Sequence, residues 1–390
     1  MSHCLMTNYN PLPVTFSHGQ GMYLWDETGK QYLDALSGIA VCNLGHAHPA
    51  ITQVIQDQAT KLLHTSNIYH IAHQQALAAD LTRIAHMETA FFCNSGAEAN
   101  ETAIKLARLY GHKQHIENPA IIVMEQAFHG RTLATLSASG SRKVQAGFEP
   151  LVVGFMRAPY NDLSALETIA HNSHNVVAVL VEPIQGEGGI NVPAENYLSE
   201  LRQLCDKYNW LLMLDEVQTG AGRTGAFYAY QHTSILPDVV TSAKGLGNGI
   251  PIGACLARGK AATLFQPGNH GSTFGGNPFC CRVAHTVLKV IEQENLLAHA
   301  TNMGARLLQE LQSALAGIDQ VIEVRGKGLM IGIELRHPCR ELLTAGLAAG
   351  LLFNVTAERV IRLVPPLIIE PHHITELVDK LSTVIKNFRP

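Results

Sequence analysis

A lysine at the end of an apolar run is the residue in this chain best placed for covalent chemistry. Lys244 follows Asp238-Val239-Val240-Thr241-Ser242-Ala243 and precedes Gly245-Leu246-Gly247-Asn248-Gly249. Desolvation at a buried strand end lowers an ammonium's pKa and frees the amine to attack a carbonyl. The glycines let backbone pass close to a ligand. Taken alone, the same pattern fits a surface lysine opening a glycine turn equally well. Asn94-Ser95-Gly96-Ala97-Glu98 joins a strand to a helix, and a helix start suits a phosphate. Ala127-Phe128-His129-Gly130-Arg131 offers a ring that can stack and a guanidinium that can clamp a carboxylate. Asp215 closes the run Trp210-Leu211-Leu212-Met213-Leu214, one strand-and-loop unit before Lys244. Together these groups suit pyridoxal phosphate, whose ring nitrogen a buried carboxylate keeps protonated so that the ring serves as an electron sink. Glu216 should face the other side of its strand, because side chains alternate, and reads as structural.

Competing chemistries lack their signatures. There is no GxxxxGK[ST] phosphate loop, and the glycines after Lys244 do not form GxGxxG. His46-Ala47-His48 and the trio His64, His70 and His73 lack metal-site spacing, and a chain with 20 histidines brings such pairs together by chance. No metal is expected. A net charge of −4 without a basic run argues against nucleic acid or an anionic membrane as partner. Eight irregularly spaced cysteines with no CxxC pair read as reduced thiols. No secretory signal or membrane-spanning apolar stretch is seen, so a soluble, cytoplasmic protein is expected.

The elements that must position these residues follow from periodicity. Apolar runs at 90–93, 121–124, 176–181, 210–214, 238–242 and 253–257 mostly lack polar alternation, as strands buried on both faces do. Helical patterns at 97–110 and 194–208 fit between them. The expected fold is α/β, with a mainly parallel central sheet. The ends of the chain differ. Residues 21–36 read as a hairpin turning at Thr28-Gly29, 282–316 as helical, 328–335 and 360–364 as strands, and 372–388 as a closing helix. The expected division is a large domain over 51–280 and a smaller α+β domain from 1–50 and 281–390.

In order and spacing, these residues resemble the class III (subgroup II) aminotransferases of the fold-type I pyridoxal-phosphate enzymes. The resemblance runs from about Pro11 to the C-terminus. Its most specific stretch is Leu211-Leu212-Met213-Leu214-Asp215-Glu216-Val217-Gln218-Thr219-Gly220, then Gly222-Arg223-Thr224-Gly225, Pro237-Asp238 and Ser242-Ala243-Lys244. Gly38-Ile39-Ala40-Val41, Leu44-Gly45-His46-Ala47-His48-Pro49, Asn94-Ser95-Gly96-Ala97-Glu98-Ala99-Asn100-Glu101, Val181-Glu182-Pro183-Ile184-Gln185-Gly186-Glu187-Gly188-Gly189 and His270-Gly271-Ser272-Thr273-Phe274-Gly275-Gly276-Asn277-Pro278 are similar to the branch that acts on N-acetylornithine.

The resemblance implies that Lys244 holds pyridoxal phosphate as a Schiff base and then shuttles protons. It implies that Asp215 pairs with the ring nitrogen, that Gln218 sits near the ring hydroxyl and that Phe128 stacks on the ring. Gly96 and Ala97 would hold the phosphate, and Thr273 would reach it from the neighbouring subunit of a homodimer with shared active sites. Ser272 and Tyr23 would lie near the substrate. Arg131 would take the distal carboxylate of N-acetylornithine, and Arg362 the α-carboxylate of glutamate, with Glu187 pairing Arg362 when no carboxylate is there. The implied reaction moves the terminal amine of N-acetylornithine to 2-oxoglutarate, as in arginine biosynthesis. Other ω-aminotransferase donors (succinylornithine, ornithine, succinyldiaminopimelate, 4-aminobutyrate), an aminomutase and a non-catalytic binding protein are the alternatives. The chain departs from the commonest family pattern at Ser37-Gly38, where many relatives have two glycines, at Cys42-Asn43 and at 67–73.

Overall fold

A computed structural model describes residues 4–389. Its centre is a seven-stranded sheet in the order Thr89–Cys93, Gly253–Ala257, Val239–Ser242, Leu211–Asp215, Val176–Val181, Ala120–Met124, Phe155–Ala158. Four neighbouring pairs are parallel, and Gly253–Ala257 runs antiparallel to both its neighbours. The α/β class with a mainly parallel sheet is what the structure has.

The inner strands are apolar on both faces because both faces are covered. Ile122, Val179, Leu212 and Leu214 pack into one layer, with Leu77, Leu81, Leu198, Leu201 and Leu204 from helices Ala72–Ala85 and Tyr197–Lys207. Ile121, Val123, Leu180, Leu211 and Met213 pack into the opposite layer, under Ala103, Ile104, Leu106 and Ala107 of helix Gly96–Lys113. The strand period of two sorts the side chains, and the 198/201/204/205 spacing gives the helix its buried stripe. Each such leucine, fully buried, contributes about 1.5–3 kcal/mol.

Two four-stranded sheets flank this one. The first pairs Phe16–Gln20, Tyr23–Asp26 and Gln31–Asp34 antiparallel, with Leu351–Leu352 parallel to Gln31–Asp34. Its hairpin turns at Gly29 (φ +84°), and the Asp26 carboxylate accepts from the N–H groups of Thr28 and Lys30. The second has the order Val321–Lys327, Met330–Leu335, Val360–Leu363, Asn354–Thr356, antiparallel throughout. Helix Pro371–Lys386 closes the chain.

The structure differs from the sequence reading in four places. Gly328 is not a strand start but the turn between two strands (φ +56°). The helical stretch 282–316 is two helices, Pro278–Gln293 and Leu296–Leu315, broken where Asn295 enters the left-handed region. Phe16–Gln20 and Phe155–Ala158 are additional strands. Finally, Gly253–Ala257 is antiparallel: the ten residues before it hold no α-helix, and a parallel return needs a crossover of roughly a dozen residues or more. No described helix is long and apolar enough to cross a membrane.

Candidate active site

Strands Thr89–Cys93, Ala120–Met124, Val176–Val181, Leu211–Asp215 and Val239–Ser242 run the same way, so their carboxyl ends share one edge of the sheet. The loops leaving that edge enclose a cavity of about 440 Å³. Gly96, Ala97, Phe128, Arg131, Asp215, Gln218 and Lys244 all line it. Ligands of open α/β sheets bind at this edge.

Asp215 is buried at the cavity floor. Its Oδ2 accepts from His129 Nδ1 at 2.8 Å and from Asn100 Nδ2 at 2.7 Å, and its Oδ1 accepts from the Val217 N–H at 3.0 Å. Asn100 is fixed in turn by Thr241, whose hydroxyl donates to Asn100 Oδ1. Burial opposes protonation of His129, but the Asp215 carboxylate overcomes it and raises the imidazole's pKa. The His129 Nε2 is buried and unpaired among the described residues. Glu182, above the same pair, is pushed up to about 7 by burial and by the Asp215 charge, against the pull of His129.

Glu216 turns to the opposite face, where it accepts from the Thr219 hydroxyl and, at 2.9 Å, from the Tyr230 N–H. Burial raises it from the usual 4.5 to about 7.

Lys244 has φ +46°, a left-handed conformation that is uncommon outside glycine and is typical of strained sites. Its amine forms no hydrogen bond or salt bridge among the described residues. Burial pulls the ammonium below the ordinary lysine range and Arg362 adds to this, while Glu187 and Asp215 resist it. A larger share of neutral amine follows.

Helix Gly96–Lys113 starts at the cavity wall. Ser95 caps it by accepting from the Glu98 N–H at 3.2 Å. A side chain at Gly96 would collide with Val217, its Cβ falling 2.6 Å from Val217 Cγ1. The N–H groups of Gly96 and Ala97 belong to the first turn, which has no intrahelical acceptors for them. Phe128 is held by its N–H donating to Glu182 at 3.1 Å, and the exposed Arg131 guanidinium lies 5.5 Å from the centre of its ring.

Arg362 is fully buried on strand Val360–Leu363. Its Nη1 donates to Glu187 Oε1 at 2.5 Å and to Gln218 Oε1 at 3.1 Å, and its Nε to Asn354 Oδ1 at 3.0 Å. Its Nη2 is buried with no partner among the described residues. Burial would raise Glu187, but Arg362 and then Lys244 hold it below the usual carboxylate range.

Three of the residues singled out in the sequence lie elsewhere. Ser272 touches the site through Asn94, whose Nδ2 donates to Ser272 Oγ at 3.3 Å. Thr273 is exposed and lines a separate surface hollow with His64, Asn67 and Ile68. Tyr23 lies outside the cavity, its hydroxyl donating to Glu376 at 2.8 Å. Sequence reasoning assigned no role to His129, Asn100 or Glu182, although all three stand inside motifs it had picked out. At Ser37-Gly38 the chain enters a left-handed turn through Ala40 (φ +47° to +67°), which two glycines would enter without strain. Ser37 is held there by its N–H to Asp34 at 2.8 Å and its hydroxyl to the Val364 carbonyl at 2.6 Å.

Residues 5–385 match the family model described as aminotransferase class-III. The chain is 56% identical to an acetylornithine aminotransferase from Nitrosomonas europaea, over all of this chain and 98% of that one. Among solved structures, an acetylornithine aminotransferase from Elizabethkingia anophelis is similar at a TM-score of 0.88 and 36% identity, covering 98% of this chain and 96% of that one. An ornithine aminotransferase from Toxoplasma gondii, described as having partial occupancy of PLP at its active site, reaches a TM-score of 0.95 at 33% identity over 98% and 92% of the two chains. A full-length match on a sheet edge that gathers a lysine, a buried carboxylate and a phosphate-ready helix start admits one conclusion: the chain belongs to the class-III aminotransferase family.

Proposed function

We propose that this enzyme transfers the terminal amine of N-acetylornithine to 2-oxoglutarate, with pyridoxal phosphate as cofactor, as in arginine biosynthesis. The cavity's residues fit that group. Asp215 is buried and braced, Gly96 leaves room at a helix N-terminus, Phe128 offers a ring face, and Lys244 brings an amine with no partner among the described residues. Pyridoxal phosphate, when bound, supplies an electron sink for the bond broken at the amine-bearing carbon. Lys244 would hold it covalently and, when released, carry the proton on and off that carbon. Asp215 would keep the ring nitrogen protonated, with His129 and Asn100 holding the carboxylate in line. Gln218 would sit by the ring hydroxyl, and the N–H groups of Gly96 and Ala97 would hold the phosphate.

The observation that carries the pairing of an ω-amine donor with glutamate is the Glu187–Arg362 pair, and the 56% identity to an acetylornithine aminotransferase supports N-acetylornithine as that donor. N-acetylornithine reacts at its terminal amine, so its carboxylate lies far from the reacting carbon and would meet Arg131 at the exposed mouth. Glutamate reacts at its α-amine, so its α-carboxylate lies close in and would meet Arg362, whose free Nη2 is ready for it. Glu187 pairs Arg362 when N-acetylornithine is bound, because an unpaired buried guanidinium is costly. One site thereby serves two unlike substrates. Ser272 and Tyr23 are proposed to border the substrate in the assembled enzyme.

We also propose a homodimer in which Thr273 completes the partner's phosphate site. Its exposure supports this, as does the bare apolar face around it, where Ile68 is 84%, Tyr69 67% and Phe274 61% exposed. Residues 51–280 are read as the cofactor domain, and 1–50 with 281–390 as the smaller one. Buried free thiols at Cys93, Cys205, Cys255 and Cys281 suit the cytoplasm.

Steady-state assays with 2-oxoglutarate and a panel of donors test the reading. The highest kcat/KM is expected for N-acetylornithine. A preference for ornithine or 4-aminobutyrate would overturn the choice of donor and leave the cofactor assignment standing.

A further inference from the structure

Beneath the Lys244 loop lies a buried cation outside the chemistry described above. Arg223 has no exposed surface and no salt-bridge partner among the described residues. Its Nη1 donates to the carbonyls of Leu329, at 3.0 Å, and Pro365, and its Nη2 to Asn43 Oδ1 at 2.6 Å. Burial alone pulls this guanidinium down to about 9. Its one side-chain acceptor is therefore Asn43, itself buried.

Asn43 spends its remaining groups on the same neighbourhood. Its Nδ2 donates to the Ala221 carbonyl at 2.9 Å, and its carbonyl accepts from the Leu367 N–H at 2.7 Å. It also packs directly on the residue after Lys244: a Cβ at Gly245 would fall 2.2 Å from Asn43 Nδ2. The next two residues grip the far end of the same loop. The Leu44 N–H donates to Asn248 Oδ1 at 2.8 Å, and Asn248 Nδ2 donates to the Gly45 carbonyl at 3.3 Å. Lys244 and Asn248, at the two ends of this loop, both have positive φ (+46° and +45°). Such strain persists only where the surroundings over-determine it.

We propose that Asn43, locked by Arg223, is a positioning residue for the reaction, holding the strained Lys244 turn so that the lysine amine meets the cofactor in one orientation. This rests on the reading of Lys244 as the cofactor-bearing residue. Asn43 does not line the cavity; it acts through Gly245 and the loop.

Two variants test it, both as purified holoenzyme reconstituted with pyridoxal phosphate. The readouts are the pH midpoint of the bound cofactor's visible absorbance, kcat and KM for both substrates, and the Tm. Asn43→Ala removes the brace, with both of its side-chain hydrogen bonds, and is expected to lower kcat by about tenfold as the lysine amine loses its single orientation, with smaller changes in KM. Its absorbance midpoint should move away from that of the unaltered enzyme.

Asn43→Asp keeps an acceptor for Arg223, so it should fold and retain its Tm. It loses the donor to Ala221, so kcat should fall; its added charge raises the midpoint by itself, so kcat against an unchanged Tm is the deciding readout for this variant. If Asn43→Ala does not fold, Asn43→Asp decides. Variants that lose only Tm, with midpoint and kcat unmoved, would overturn the inference and leave the functional reading intact. An unaltered enzyme with no cofactor absorbance at all would overturn the functional reading and the inference with it.

Discussion

Asp215 and Glu216 are adjacent carboxylates with opposite fates, and the two-residue period of the strand decides which is which. Asp215 faces the cavity, held by His129 and Asn100; Glu216 faces the other layer, held by Thr219 and Tyr230. Asp215→Asn keeps the shape and removes the carboxylate, and kcat should fall roughly 10²–10³-fold, because an amide would no longer keep the cofactor's ring nitrogen protonated. Glu216→Gln should leave kcat within about twofold and change stability instead. The folded-state pKa of Glu216 is raised from 4.5 to about 7, so the native state holds a proton that the unfolded chain releases. Its contribution is present below about 4.5 and is lost as pH rises toward 7. The variant's Tm should therefore decline less across that window than the unaltered protein's, by differential scanning calorimetry. At this scale the sequence was informative for Lys244 and Asp215, because each ends a visible apolar run. His129 was not legible: it stands 86 residues from Asp215, and no local pattern announces that the two meet. Tyr23 was drawn from resemblance, and in this chain its hydroxyl is engaged by Glu376.

Among the elements, helix Gly96–Lys113 links fold to chemistry. Its apolar side covers the sheet, and its first turn opens on the cavity. Ser95 holds that first turn through the Glu98 N–H. Ser95→Ala should cost about 1 kcal/mol of stability, as loss of a cap does. It should also weaken cofactor retention, measured as the Kd of pyridoxal phosphate by fluorescence titration; a Kd equal to that of the unaltered enzyme would detach the cap from phosphate binding. The central strands were legible because burial on both faces writes itself as unbroken apolar runs. Phe155–Ala158 was not, because it is a short edge strand with an exposed arginine in its middle. The direction of Gly253–Ala257 carries no compositional mark at all, and only the short connection before it, without an α-helix, betrays it.

For the whole molecule, the question is how the site is completed. Seven of the twelve residues singled out by sequence line one cavity, and Arg362 and Glu187 join it through Gln218. Thr273 stays outside on an exposed apolar face, in keeping with the proposed homodimer. Thr273→Ala should raise the Kd for pyridoxal phosphate about tenfold, the loss of one hydrogen bond to a charged group, while sedimentation still finds a dimer. A monomer with full activity would refute the shared site. Convergence from distant parts of the chain was legible only as far as family resemblance carried it, since periodicity orders residues along elements and is silent on what packs across them.

The most direct test is a half-reaction: the absorbance of the purified holoenzyme with N-acetylornithine alone, followed by 2-oxoglutarate. The account predicts that the cofactor's visible band disappears on adding N-acetylornithine and returns on adding 2-oxoglutarate. A band that ignores N-acetylornithine while glutamate bleaches it would contradict the account.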